Sequence, residues 1–329
     1  MEIKDYTLKN TNNISVKFLN FGGIITEINI PDKNSNFENI VLNYPEKKDY
    51  LNDNFYMGAI IGRYANRIAN GNLVLNKKIY NLENNENGNH LHGGTISFHN
   101  KIWSVEKNNS TNNSVFLSYY SKHLENGYPG NLMVKVIYTL TDNNYFHIEI
   151  HAKSDMDTVF NPTSHSYFNL NPKIKSILNH NLKLDANRYV EINDNFLPTG
   201  KLIGVNSTEF DFLNGKKIKQ SFINGNKQIQ IAKGFDHCFV LNKNNNNSNV
   251  ELSEINSGRK INIYTDQPGV QVYTGNHLSG KFERNQGICL ETQHLPDSPN
   301  NPDFPSTLLR ANEEYYTKTS YKFGLVNFN

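Results

Sequence analysis

The segment MVKVIYTLTDNNYFHIEIH, residues 133–151, decides the class of fold. Val134, Val136, Tyr138 and Leu140 alternate with Lys135, Ile137 and Thr139. Thr141-Asp142-Asn143-Asn144 then turns the chain, and Phe146, Ile148 and Ile150 alternate again. Successive side chains of an extended chain point to opposite faces, so each arm has one apolar face and the turn folds the arms into an antiparallel pair. The same period recurs in both directions. Upstream, Ile14, Val16 and Phe18 alternate as far as Gly22-Gly23, and residues 24–30 resume the pattern up to Pro31-Asp32. Residues 72–82 read as a hairpin turning near Asn76-Lys77, and residues 103–120 as two strands around a turn at 108–113. Downstream, strands are expected at 182–184, 189–192, 228–231, 239–241, 250–255, 260–264, 270–273, 288–291 and 316–323. Helix is confined to short pieces at 45–51 and 211–215. Many antiparallel strands spaced by turns predict an all-β protein built as a large sandwich. The pattern runs on without a linker or a break in composition, so residues 1–329 are expected to form one domain. No repeat of roughly 20–50 residues is visible, which disfavours a propeller.

Composition narrows the function. Among 329 residues, 33 Lys and Arg offset 31 Asp and Glu for a net charge of +2. That balance gives no electrostatic reason to expect nucleic acid or an anionic membrane as partner. No apolar run approaches the roughly 18 residues of a membrane span, and no cationic segment followed by an apolar one opens the chain as a secretory signal would. The two cysteines, Cys238 and Cys289, sit in apolar runs and are expected as buried free thiols in a reducing, cytoplasmic setting. The Asn runs, such as 242–249, are loops between strands and carry no mechanism. Abundant Tyr and Phe suit a β core, and also a sugar site in which flat rings meet C–H faces.

Five stretches place polar groups where a one-face strand would not. Gly62-Arg63-Tyr64-Ala65-Asn66-Arg67-Ile68 sets two arginines four residues apart, each either a fork of donors for a ligand or a structural bridge between loops. Asn89-His90-Leu91-His92-Gly93-Gly94 has an H-x-H spacing that puts both imidazoles on one face of an extended chain. No third and fourth ligand stands at an obvious spacing, so hydrogen bonding is favoured over metal, and Gly93-Gly94 allows backbone to approach a ligand closely. Thr163-Ser164-His165-Ser166-Tyr167-Phe168 offers an imidazole able to give or take a proton, and no G-x-S-x-G elbow surrounds either serine. Asp236 opens the apolar run 238–241, while Gln271 interrupts Val270 and Val272. Thr274 and Asn276 follow, facing solvent or making specific hydrogen bonds. Finally, Glu291 closes Ile288-Cys289-Leu290. A carboxylate there is either bonded structurally or is a base whose proton affinity burial has raised.

Together these stretches resemble the aldose 1-epimerase (galactose mutarotase) family across nearly the whole chain. The pieces that carry the resemblance are GRYANRIANG, HLHGG, NPTSHSYFNL, FDHCFVL, TDQPGVQVYTGN and CLETQHLPDSPNNPDFP, in family order. The resemblance implies a large antiparallel β-supersandwich with few short helices and no metal or organic cofactor. It implies Glu291 as general base and His165 as general acid, with Asn66, Arg67, His92, Ser166, Tyr167, Asp236 and Gln271 around the sugar; His90 and His294 receive no role. The implied activity is interconversion of α and β anomers of a free aldose by ring opening and closure, in a monomer or homodimer. Three alternatives stand beside it: a hexose-6-phosphate 1-epimerase using Arg63 and Arg67, a non-catalytic sugar-binding protein, and a serine or metal hydrolase.

Overall fold

A computed structural model describes residues 2–107, 113–222, 225–243 and 248–326. Most of the expected turn at 108–113 and the centre of the 242–249 loop lie outside the described residues. Among the described residues, strand dominates and the named strand pairings are antiparallel, in agreement with the sequence. The hairpin that opened the sequence analysis becomes Leu132–Leu140 paired with Tyr145–Ser154, in register from Leu132↔Ser154 to Leu140↔Phe146. Its inward residues Val134, Val136, Tyr138 and Leu140 are fully buried.

Nine strands form the larger sheet. Four of them, from Ser104–Lys107 to Tyr145–Ser154, lie on one side of Glu314–Leu325, and Arg259–Thr265, Val250–Ser253, Asn181–Leu184 and Lys216–Lys217 lie on the other. The strand latest in sequence thus sits at the centre of the sheet, bonded to Tyr145–Ser154 and Arg259–Thr265. A six-stranded sheet runs in the order Tyr167–Phe168, Ile288–Gln293, Gly269–Tyr273, Asp236–Leu241, Ala186–Ile192, Pro198–Gly204. These two sheets and a four-stranded sheet near the N-terminus share one apolar core, in which Val136, Leu182, Ile263, Phe239, Val272, Leu290 and Phe18 meet.

Two local expectations change. Residues 228–231 are not a strand; they lie in the α-helix Lys227–Ala232. Asn226 caps it by accepting the N–H of Gln228, Lys233 ends it in the left-handed region, and the buried residues Gln228 and Ile229 lie one turn before buried Ala232. The polar side chain of Gln228 is buried because it bonds both the N–H and the carbonyl of Ile192. That long-range pairing overrides the local alternation. Residues 211–215 form a turn, not a helix, with the Asp211 carboxylate accepting the N–H of Leu213. The expected helix at 45–51 appears as the 3₁₀ turn Lys47–Asn52.

The sheet geometry sets up the site. Strand Ile288–Gln293 is buried on both faces. Ile288 and Leu290 enter the core, so Cys289 and Glu291 emerge on the opposite face. The register then places Gln271 beside Glu291, Tyr273 beside Cys289 and Asp236 beside Tyr273.

Candidate active site

On this second face lies a cavity of ≈ 200 Å³, smaller than the clefts of about 300–1,000 Å³ that hold drug-sized ligands. Glu291, Asp236 and Tyr273 rise from inner strands of the sheet and Tyr167 from its edge strand; Asn66, Arg67, Leu91 and His92 come from a short bridge of two strands; His165 comes from the segment that leads into Tyr167–Phe168. His165 is fixed through its backbone, with its N–H donated to Ala59 and its carbonyl accepting from Gly58. Because 165, 166 and 167 alternate in direction, His165 and Tyr167 reach the wall while Ser166 turns away from it. The Ser166 hydroxyl is buried with no protein hydrogen bond. Gln271 shares the face of Glu291 without lining the cavity, and donates to Asp236 Oδ1 at 2.6 Å.

The central pair is His165 Nε2 and Glu291 Oε1, 3.7 Å apart. Burial raises the Glu291 carboxyl well above the ordinary carboxylate range; neighbouring Asp236 adds to the rise and Arg67 opposes it. Burial also holds the His165 imidazole down at about 4. Glu291 Oε2 has no hydrogen-bond partner in the protein, a costly state for a charged oxygen that protonation or a ligand's donor relieves. Asp236 is raised by the same desolvation.

His92 is set differently. Its Nδ1 accepts the N–H of Asn66 at 3.1 Å, and its own N–H is donated to the Asn66 carbonyl. Both residues adopt left-handed backbone, with φ of 63° at Asn66 and 50° at His92. A neutral ring whose Nδ1 accepts carries its proton on Nε2 and acts as a donor. Burial holds His92 well below the usual imidazole range, so it stays neutral.

The H-x-H spacing does not form a pair in space. His90 bonds the Glu83 carbonyl and the Tyr128 hydroxyl. Instead, ligand-type atoms of His92, His165 and Glu291 lie within 4.8 Å of one another, the third partner that spacing could not reveal. The Asn66 N–H argues against a cation there, because the His92 nitrogen left over is the protonated one. The trio is better matched to hydroxyl groups.

The two arginines divide. Arg63 is buried and spends its guanidinium on Ser121 and on the carbonyls of Pro129, Ser121 and Lys122; it is structural. Arg67 reaches the cavity, held by a two-bond clasp from Glu86 at 3.0 and 3.2 Å and covered by the ring of Phe196. Gly93 lets backbone approach backbone, not a ligand: a Cβ there would stand 2.0 Å from the Gly62 carbonyl oxygen. Thr274 and Asn276 bond each other and the Phe235 carbonyl, which steadies the turn before Asp236. His294 is held by its own backbone to Asn161 and lies off the wall.

Several wall residues left no sequence signal. Asn54, Phe55 and Tyr56 come from a loop pinned by Asp53, whose carboxylate accepts from Tyr44 Oη and from the N–H groups of Phe55 and Met57. The Tyr56 ring packs 4.6 Å from His92 and 5.9 Å from His165. His277 donates its N–H to Tyr273 Oη. Only the Asx turn at Asp53 was readable locally. Glu86, which clasps Arg67 from outside the wall, left no signal either, and its role is testable. Glu86→Gln should raise KM about five- to tenfold and change kcat by less than threefold, because Arg67 loses its orientation while the acid–base pair stays in place. An unchanged KM in steady-state polarimetry would show that Arg67 holds itself.

A carboxyl and an imidazole, each displaced by burial toward the other's proton affinity, form a pair able to take and give protons within one cavity. Residues 4–322 match the family described as aldose 1-epimerase. The chain is 36% identical to an aldose 1-epimerase of Haemophilus influenzae, covering 96% of this chain and 94% of that protein. It is 36% identical to the human galactose mutarotase, covering 95% and 92%. Its structure superposes on an aldose epimerase homologue from C. elegans with a TM-score of 0.92 at 28% identity, over 99% of this chain and all of that one. A galactose 1-epimerase from Lactobacillus acidophilus gives 0.88 at 28% identity with the same coverage. The chain belongs to the aldose 1-epimerase family.

Proposed function

We propose that Glu291 and His165 carry the interconversion of α and β anomers of a free aldohexose such as galactose or glucose. The observation that bears most on this is the 3.7 Å between Nε2 and Oε1. The anomeric carbon bears both oxygens that exchange protons, the C1 hydroxyl and the ring oxygen, so acid and base must stand close together. Carboxyl pairs that hydrolyse glycosidic bonds stand about 5–9.5 Å apart.

In ring opening, the Glu291 carboxylate takes the C1 hydroxyl proton and the O–H electron pair forms C1=O. The C1–O5 pair departs onto O5, which takes the proton from His165 Nε2. Rotation about C1–C2 presents the other face, and the reverse steps close the other anomer. The pair passes from carboxylate and imidazolium to carboxylic acid and imidazole, with no net proton consumed. Burial favours the neutral form of both partners, so of the two states it stabilises the carboxylic acid and imidazole. His92 Nε2–H, Asn66 and Arg67 supply donors to the sugar. Asp236 accepts from a hydroxyl, with Gln271 orienting it. Tyr167, Tyr56 and Tyr273 give flat surfaces, and Ser166 acts from behind the wall.

The charged wall residues are Arg67, already paired with Glu86, and the two carboxyls Asp236 and Glu291. That balance supports an uncharged sugar over a hexose 6-phosphate. No helix among the described residues is long and apolar enough to cross a membrane. We place the enzyme in the cytoplasm, in keeping with two buried unpaired cysteines, as a monomer or homodimer with residues 1–329 acting as one unit. Polarimetry on α-galactose, α-glucose and their 6-phosphates tests this reading. The free sugars should be favoured at least tenfold in kcat/KM, and a preference for the phosphates, or no acceleration of any aldose, would overturn it.

A further inference from the structure

The two imidazoles beside Glu291, those of His92 and His165, have different partners on their second nitrogen. At His92 that partner is a backbone N–H, which only donates. At His165 it is the thiol of Cys289, with Sγ 3.5 Å from Nδ1. Cys289 and Glu291 stand two residues apart on one face of strand Ile288–Gln293. A single strand therefore holds the His165 ring from both ends, Glu291 at Nε2 and Cys289 at Nδ1.

The chemistry of the partner decides what the ring can do. A fixed donor keeps Nδ1 unprotonated and the ring neutral, as at His92. A carboxylate would keep Nδ1 protonated and favour the cation. A group that gives and takes its proton at Nε2 keeps the Nδ1 proton throughout, and so needs an uncharged acceptor at Nδ1 that does not hold the ring as a cation. A thiol has one weak donor and a weak acceptor on a rotatable bond. Cys289 is fully buried, and burial holds its thiol well above the usual range, so the sulfur keeps its proton at neutral pH.

We propose that Cys289 is a positioning residue for His165: its sulfur accepts from Nδ1–H in the cation and in the neutral ring alike. As the proton leaves Nε2 for O5, the Nδ1 proton stays on the ring within this contact, so the ring changes charge without turning. The proposal rests on His165 being the acid.

Cys289→Ala should lower kcat about five- to twentyfold with KM within twofold of wild type, and Cys289→Ser, which keeps a hydroxyl acceptor, should recover most of that loss. ¹⁵N NMR of labelled wild-type protein near pH 7 should show His165 as a single neutral tautomer with its proton on Nδ1. The alanine variant should show a mixture. Full kcat in Cys289→Ala, equal losses in the alanine and serine variants, or an Nε2–H or mixed tautomer in the wild type would each overturn the proposal. The tautomer is read without turnover. Failure of His165 as the acid is seen separately, as activity surviving in His165→Asn.

Discussion

Glu291→Gln is expected to lower the rate of anomer interconversion by about 10²- to 10⁴-fold, the usual contribution of a positioned base, and to leave sugar affinity within about threefold. The amide has nearly the volume of the carboxyl and keeps one acceptor oxygen, so the cavity wall and the Gln271–Asp236 contact beside it persist. What it lacks is the ability to take the C1 hydroxyl proton. The variant should also melt no lower than wild type. A carboxyl whose folded-state pKa lies above its unfolded value binds more protons when folded, so its contribution to stability falls as pH rises from the unfolded value towards the raised one. Glutamine removes that loss. Polarimetry, equilibrium sugar binding and thermal melts at pH 7 to 8 together check the result. A near-normal rate would remove Glu291 from the base role, and lost affinity would make it a binding residue.

His165→Asn is expected to cost about the same factor. Asparagine keeps a polar group near the ring oxygen but cannot change charge during the reaction. Wild-type pH dependence supplies a second measure. The pair works with one proton between its members. Burial holds the imidazole at about 4, so a second proton binds only as pH falls through that region, and the rate should fall there and not near 6.5. Short assays by pH jump separate this limb from acid unfolding. A limb near 6.5 would mean that His165 titrates as an exposed imidazole, contrary to its burial.

Legibility in the sequence followed the range of the interaction. The hairpin of residues 133–151 was readable because one face of each arm is buried, and a period of two is the local imprint of that burial. The helix at Lys227–Ala232 was misread because its polar Gln228 is buried for a partner 36 residues away. At the cavity, Glu291 and His165 stood out as polar groups in apolar or hydroxyl-rich stretches, while their 3.7 Å separation depends on strands far apart in sequence. Arg63 and Arg67 look alike in the chain, and only their acceptors, three carbonyls and a hydroxyl in one case and Glu86 in the other, tell them apart. Glu86, Tyr56 and His277 were silent because nothing local distinguishes a glutamate that clasps Arg67, or a tyrosine or histidine that meets the cavity, from one that meets water.

The central position of Glu314–Leu325 in the nine-stranded sheet bears on how the chain is made. During synthesis the ribosome delivers this strand after both of its neighbours. Until it inserts, Tyr145–Ser154 and Arg259–Thr265 each present an unpaired edge able to capture a strand from another chain. The nascent protein therefore passes through a stage in which most of the active-site residues have emerged but the large sheet is still split, and it is at that stage, more than in the finished enzyme, that aggregation competes with folding.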